Sequence, residues 1–163
     1  DASGNVIVVG SFEGSSINLG GATLSGGFTT GFIAKFASAT GAHLWSKSLS
    51  GSALFNMANG VTLDSAGNPV VVGLVEGTAN FGGGNLSNQG GYDLYLVKLA
   101  NGTGGHLWSQ TYGGASTDQG TSVTVDGSGN MLATGGFNAT AFFNGQPLNS
   151  AGGADVYVLK IVP

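Results

Sequence analysis

The chain has 163 residues, of which 41% are hydrophobic and only 7% are charged, with a formal net charge of −4 and no Cys. It is long and apolar enough to fold around a sizeable core. The composition excludes a disulfide framework. It also argues against a nucleic-acid partner or a polybasic membrane patch, because both need clustered Lys and Arg, and the chain has four Lys and no Arg. No apolar stretch reaches the roughly 18 residues of a spanning helix, so no membrane insertion is predicted.

Glycine is the outlier, with 32 residues. Collagen is excluded because Gly does not recur at every third position, and apolar runs such as 69–74 argue against disorder. The remaining interpretation is a chain of short strands joined by many tight turns.

The predicted elements, taken in chain order, agree with this interpretation. Segments rich in β-branched and aromatic residues alternate with turns, and no helical periodicity occurs. The predicted strands are 6–9, 32–36, 43–49, 61–63, 70–72, 95–99, 106–112, 123–125, 131–133 and 157–161. The strand at 70–72 is apolar on both sides, which predicts burial of both of its faces.

These strands belong to a segment that occurs three times, which we call repeat 1 (1–63), repeat 2 (64–125) and repeat 3 (126–163), within a single domain of 1–163. Each repeat opens with the turn motif Asp-x-x-Gly-Asn and carries one Lys between apolar residues. The recurring positions are Asp1, Asp64 and Asp126 and then Lys35, Lys98 and Lys160. The motif His-Leu-Trp-Ser occurs only in the first two repeats, with Trp45 and Trp108.

Four antiparallel strands repeated about every sixty residues predict an all-β fold, a β-propeller with one blade per repeat. A β-solenoid has shorter coils, and a single β-sandwich would not explain the repeat. The ten strands amount to about 2.5 blades, an incomplete ring, because closed propellers have about 4–8. We therefore expect either a piece of a longer propeller chain or several copies that assemble. Unpaired strand edges with few charges predict self-association into a homo-oligomer or a filament.

The pattern Asp-x-x-Gly-Asn, then Gly-Gly-x-Asp-x-Tyr before the lysine strand, then Gly-x-x-Leu-Trp-Ser resembles the bacterial β-propeller repeat called SBBP over essentially the whole chain. Repeat 1 departs from it with Thr30 where Asp93 and Asp155 stand in the other repeats, and repeat 3 lacks the Leu-Trp-Ser strand. The resemblance implies propeller blades used for binding or scaffolding in exported or surface proteins of bacteria. It implies no catalytic residues.

The recurrent charged residues have structural and functional interpretations. Asp-x-x-Gly-Asn resembles the start of a calcium loop, but the further oxygen ligands are missing, so an Asp that accepts hydrogen bonds in its own turn is favoured. The lysines could bind an anion in a shared channel. We favour lysines that extend to solvent or pair with a carboxylate such as Asp93 or Asp155.

The recurrent tryptophans have two interpretations as well. Packing between neighbouring blades is favoured, because Trp is the largest apolar side chain. The alternative is a lectin with one glycan site per blade, in which Trp45 and Trp108 stack on a sugar and amides such as Asn80 and Asn85 bind its hydroxyls.

Catalysis finds little support. The chain lacks a Gly-x-Ser-x-Gly elbow and a metal-ligand cluster, and its carboxylates are predicted to be spread over the turns, so we predict no catalytic residue, metal or cofactor. A hydrolase would need two carboxylates within about 5–10 Å in a cleft. The leading hypothesis is a non-enzymatic structural or adhesive module that is extracellular or on the bacterial cell surface.

Overall fold

The computed structural model describes residues 1–51 and 55–162, and every element in these ranges is a β-strand, which confirms the all-β prediction. The strands of repeat 1 are β1 (Val6–Glu13), β2 (Ser16–Ile17), β3 (Leu24–Ser25), β4 (Thr29–Phe36), β5 (His43–Gly51) and β6 (Phe55–Leu63), the last of which leads into repeat 2. Those of repeat 2 are β7 (Pro69–Glu76), β8 (Thr78–Asn80), β9 (Asn85–Ser87), β10 (Asp93–Leu99), β11 (His106–Gly114) and β12 (Gln119–Val125). Repeat 3 has β13 (Met131–Phe143) and β14 (Gln146–Ile161).

All ten predicted strands lie inside observed ones, and most of the observed strands are longer. Four short strands were not predicted: β2, β3, β8 and β9 form small hairpins inside the Gly-rich segments that follow β1 and β7. In repeat 3 the equivalent segment instead prolongs β13 and β14 into one long hairpin that turns at Asn144 and Gly145, both with positive φ. The sequence signal there is weak because Ser, Asn and Gly are poor strand formers.

The main strands form three antiparallel meanders. The first is β1-β4-β5, the second is β6-β7-β10-β11 and the third is β12-β13-β14. Only the second meander has four strands. Relative to it, the first lacks an initial strand beside β1, and the third lacks a final strand beside β14 among the described residues.

Short bridges join the meanders into one curled twelve-stranded sheet. The end of β5 pairs with β8, and the end of β11 pairs in the same way with β13 at Gly113–Phe142 and Gly114–Ala141. A single parallel pair, Thr29–Phe55, joins β4 to β6. The fourth strand of one repeat is thus hydrogen-bonded to the segment after the second strand of the next repeat, and this linkage is made twice.

The core consists of two apolar clusters, each between consecutive repeats. One joins repeat 1 to repeat 2 and includes Val71 and Val75, and the other joins repeat 2 to repeat 3 and includes Val70 and Val72. Because side chains alternate along a strand, β7 sends one set to each side. This explains the continuous apolar run, since β7 is buried on both faces.

No helix in the described part of the chain is long and apolar enough to cross a bilayer.

Candidate functional site

The three Asp-x-x-Gly-Asn turns have the same geometry. In repeat 2, Asp64 Oδ1 accepts hydrogen bonds from the backbone N–H of Ala66 (2.9 Å) and Asn68 (2.8 Å), and Oδ2 accepts one from Asn68 Nδ2 (3.1 Å). Asp1 and Asp126 make the equivalent bonds in their own turns. This is the turn role favoured from the sequence, because a carboxylate that accepts adjacent N–H groups replaces the missing strand partners.

The recurrent lysines pair with these turn carboxylates. The prediction of Asp93 or Asp155 as partners is wrong. Lys35 Nζ lies 2.7 Å from Asp1 Oδ2, Lys98 Nζ 2.7 Å from Asp64 Oδ2 and Lys160 Nζ 3.9 Å from Asp126 Oδ2. The pairing of antiparallel strands explains the geometry, because the second strand begins directly after the turn Asp and runs beside the end of the third strand, which holds the lysine.

The three ion pairs differ in exposure. The Lys35 side chain is 6% exposed, that of Lys98 30% and that of Lys160 56%. Lys35 is covered by the hairpin turn between β10 and β11, where its Nζ donates to the carbonyl and side-chain oxygens of Asn101. The most buried lysine is thus the one that a turn of the next repeat covers, and the carboxylate that stays with each lysine offsets the cost of removing its charge from water.

Trp45 lies between repeats 1 and 2. It is 9% exposed, its Nε1 donates to the Asn101 carbonyl oxygen at 2.9 Å, and a Cβ added to Gly104 would lie 2.8 Å from its ring. The backbone of the β10–β11 turn therefore covers the indole. A ring covered in this way has no free face for a sugar.

Trp108 occupies the equivalent position in repeat 2, but it is only half-buried. It lines an open cavity of about 350 Å³ together with Asn68, Lys98, Leu107, Met131, Ile161 and Val162. No described residue covers Trp108 as the β10–β11 turn covers Trp45. The cavity combines an aromatic ring, apolar walls, an ammonium and an amide, which together could hold a ring-shaped ligand or an apolar side chain.

Asn80 and Asn85 lie elsewhere. Asn80 Nδ2 donates to Asn85 Oδ1 at 2.9 Å across the β8–β9 hairpin, and Asn80 Oδ1 accepts the Gly82 N–H at 2.8 Å. Neither residue lines the cavity beside Trp108. The structure therefore does not bring the four predicted ligand-binding residues together, and among them only Trp108 borders this cavity.

The sequence analysis did not predict that two carboxylates are buried close together. Asp93 and Asp118 are both buried, and a Cβ on Gly113 would touch both. Asp118 accepts the N–H groups of Gly114 (2.7 Å) and Asn138 (3.1 Å), and Asp93 accepts the Gln89 N–H at 2.7 Å. Burial, with the charge of Asp118 nearby, raises the pKa of Asp93 to about 6.

Asp118 connects the end of β11 to β13 across the junction between repeats 2 and 3, whereas Asp93 accepts an N–H group of its own repeat. Neither lines the cavity beside Trp108 or the one beside Phe55. The Asp pair does not recur at the junction of repeats 1 and 2, because the equivalent of Asp93 there is Thr30 and the equivalent of Asp118 is Asn56. The sequence did carry one signal for this feature, since both positions hold a polar residue at both junctions.

A second missed feature is a cavity of about 340 Å³ lined by Phe28, Phe55, Glu76 and Tyr92. The rings of Phe55 and Tyr92 lie 5.1 Å apart between centroids. These residues do not recur as a set in repeat 3, so the repeat pattern carried no signal for the cavity.

No group of three His, Cys, Asp or Glu side chains in the described ranges could hold a metal ion. No protein-family model matches the chain, and neither does any curated protein.

Proposed function

We propose that the chain is a non-enzymatic structural or adhesive β-propeller module of an exported bacterial protein, and that it acts through self-association or partner binding. The observation that carries this proposal is the recurrence of one interface. The two core clusters use equivalent positions in consecutive repeats, and the outer faces of repeats 1 and 3 have no described neighbour. Because each stacked repeat contacts only its nearest neighbours, the two end faces without a described neighbour are the surfaces on which a further repeat can pack.

Three features support the propeller. The β6-β7-β10-β11 meander has the strand order of a complete blade, and consecutive meanders pack face to face. Their first strands also meet, where Asn59 Nδ2 donates to the Gly120 carbonyl at 2.8 Å. The ten main strands then correspond to about 2.5 blades, fewer than the roughly 4–8 of a closed ring.

The proposed location, outside the cell or on its surface, is supported by the resemblance to SBBP repeats and by a composition with few Lys and no Cys. An enzymatic role has weaker support, because both buried carboxylates accept backbone N–H groups and neither lines the cavities beside Trp108 and Phe55.

The test is the solution mass of the chain, measured by light scattering after size exclusion over a hundredfold range of concentration. A discrete dimer or trimer, or concentration-dependent growth, is expected from self-association. A monomer of 16.0 kDa at every concentration would contradict self-association and favour the alternative partner, the remainder of a longer propeller chain.

A glycan-binding lectin is the second candidate, and the half-buried Trp108 beside an open cavity favours it. A glycan array probed with the wild type, Trp108→Phe and Trp108→Ala tests it. Binding that Phe retains and Ala abolishes is expected of a stacking platform. An array without signal for the wild type would count against the lectin.

A further inference from the structure

We propose that the outer face of repeat 3 binds the outer face of repeat 1 of a second copy of this chain, head to tail, through contacts equivalent to those that the second and third strands and the turn after them make between repeats internally. This rests on the proposed self-association and adds the surface, the orientation and the residues that carry it.

The two internal interfaces are equivalent position by position. Repeat 2 contributes a set of buried residues to its junction with repeat 1. The residues 62 positions later are the ones that repeat 3 contributes to its junction with repeat 2. The matching pairs are Val71 and Ala133, Val75 and Phe137, Ala79 and Ala141, Phe81 and Phe143, Tyr95 and Tyr157, and Val97 and Leu159. Both junctions are therefore made by the same pair of surfaces. We call the surface that a repeat packs against the previous repeat its leading face, and the surface that it packs against the next repeat its trailing face.

The trailing face of repeat 3 is present without a described neighbour. Val156 is 84% exposed and Val158 is 78% exposed, and both lie on the same side of β14. Their equivalents in repeat 2, Leu94 and Leu96, are fully buried against repeat 3. The same positions are thus buried where a following repeat packs against them and exposed where the structure describes none.

The leading face of repeat 1 likewise has no described neighbour and exposes apolar residues. Val8 is 40% exposed on β1, and its equivalent Val71 is fully buried against repeat 1. Val6 is also exposed on this side of β1. Phe32 is half-buried here, whereas its equivalent Tyr95 is fully buried at the junction of repeats 1 and 2. Paired exposed valines at both ends of the array are the two halves of an interface that the molecule already makes twice.

A polar contact of the internal interface has its counterpart too. Lys35 of repeat 1 donates to the carbonyl of Asn101, in a hairpin turn of repeat 2. The equivalent lysine of repeat 3 is the exposed Lys160. The turn at residues 37–42 has two of the backbone hydrogen bonds of the turn at 100–105, from the N–H of Ala37 to the carbonyl of Ala42 and from the N–H of Gly41 to the carbonyl of Ala37. In the head-to-tail contact, Lys160 would donate to the Ser38 carbonyl of the second copy.

Because the two faces differ, the contact is heterologous, and it either closes a ring or grows a filament. Charged substitutions can block each face separately. Val158→Asp blocks the trailing face and leaves the leading face intact, and Val8→Asp does the reverse. Leu44→Asp is the matched control, because Leu44 and its equivalent Leu107 are both exposed and neither belongs to the clusters between repeats.

The experiment is light scattering after size exclusion on the wild type, each variant alone and the two face variants mixed in equal amounts, with thermal melts to show that each variant is folded. We expect a wild-type oligomer that Leu44→Asp retains, monomers of 16.0 kDa for each face variant, and a mixture that forms dimers of twice that mass and grows no further. The rescue on mixing separates a blocked face from a damaged fold.

Two outcomes would overturn the inference, and they differ. A wild-type oligomer whose mass neither face variant changes, or face variants that stay monomeric when mixed, would leave self-association standing and remove this interface. A wild type that is monomeric at every concentration would remove self-association itself and the inference with it.

Discussion

At the scale of single residues, the carboxylates divide into two kinds. Those in the Asp-x-x-Gly-Asn turns accept backbone N–H groups and face a lysine, and these contacts favour the charged form. The pKa of Asp64 is accordingly lowered by Lys98 and Asn68, which outweigh the opposing effect of desolvation. Asp93 and Asp118 have no lysine partner, and burial raises the pKa of both.

Asp93 makes a pH-dependent contribution to the stability of the fold, and the sign of that contribution follows from its pKa. The pKa in the folded state is about 6, above the ordinary value of 3.8, so folding favours the protonated form. Ionised Asp93 therefore destabilises the fold above pH 6, and this cost disappears as the pH falls from 6 to about 4. We expect Asp93→Asn to be more stable than the wild type at pH 7.5, by up to about 2–3 kcal/mol, and equal to it near pH 4.

Urea unfolding of both proteins at the two pH values measures this difference. Asp155→Asn, at the equivalent position of repeat 3, is the control for removing a carboxylate outside the junction. A variant that is less stable at pH 7.5 would show that the bond from the Gln89 N–H to ionised Asp93 outweighs its desolvation.

At the scale of strands, the first and second strands of a repeat approach unusually closely. A bulge between Ala58 and Gly60 bends β6 against β7, and the equivalent bulge between Gly120 and Ser122 bends β12 against β13. Opposite each bulge stands a glycine, Gly73 or Gly135, where an added Cβ would lie 1.9 Å from a carbonyl oxygen of the bulged strand. The glycine is required there by space, because a side chain would push the strands apart.

We expect Gly73→Ala to lower the free energy of unfolding by about 3 kcal/mol or more, because its Cβ would meet both the Met57 carbonyl and the Tyr95 ring. Gly102→Ala is the matched control, since a Cβ there meets nothing within 4 Å, and it should change stability by less than about 0.5 kcal/mol. Chemical denaturation measures both, and equal effects would contradict the close approach.

At the scale of the whole molecule, the neighbouring repeat determines what each equivalent residue contributes. Trp45 and Trp108 share a strand position, but only Trp45 is covered by the turn of the next repeat. The same gradient occurs in the three lysine–aspartate pairs. The contacts between neighbouring repeats therefore add to the stability of each repeat, as in other arrays of repeats.

We expect Trp45→Ala to cost about 3–5 kcal/mol, the range for removing a large buried aromatic side chain. Trp108→Ala should cost at least about 1 kcal/mol less, because part of its ring already faces solvent and an open cavity. Thermal and urea unfolding at neutral pH compare the two variants. If Trp108→Ala were the more damaging, an unrecognised cover over Trp108 in solution would be indicated.

Local patterns in the sequence were sufficient to predict the strands and turns of this protein. The order and positions of the ten main strands, the turns with their Asp, and the register of the repeat follow from patterns within about ten residues, since turn residues and alternating apolar residues act locally. The burial of both faces of β7 was also predictable, because its apolar residues are continuous.

Tertiary packing determines which equivalent residues are buried and what they contact, and the sequence did not predict this. Lys35 and Lys98 occur in nearly identical local sequences, but their environments differ because the neighbouring repeats differ. Asp93 and Asp118 are 25 positions apart and meet only where two repeats are joined. Such contacts depend on the packing of distant segments and on the presence of a neighbour, and a local sequence pattern records neither.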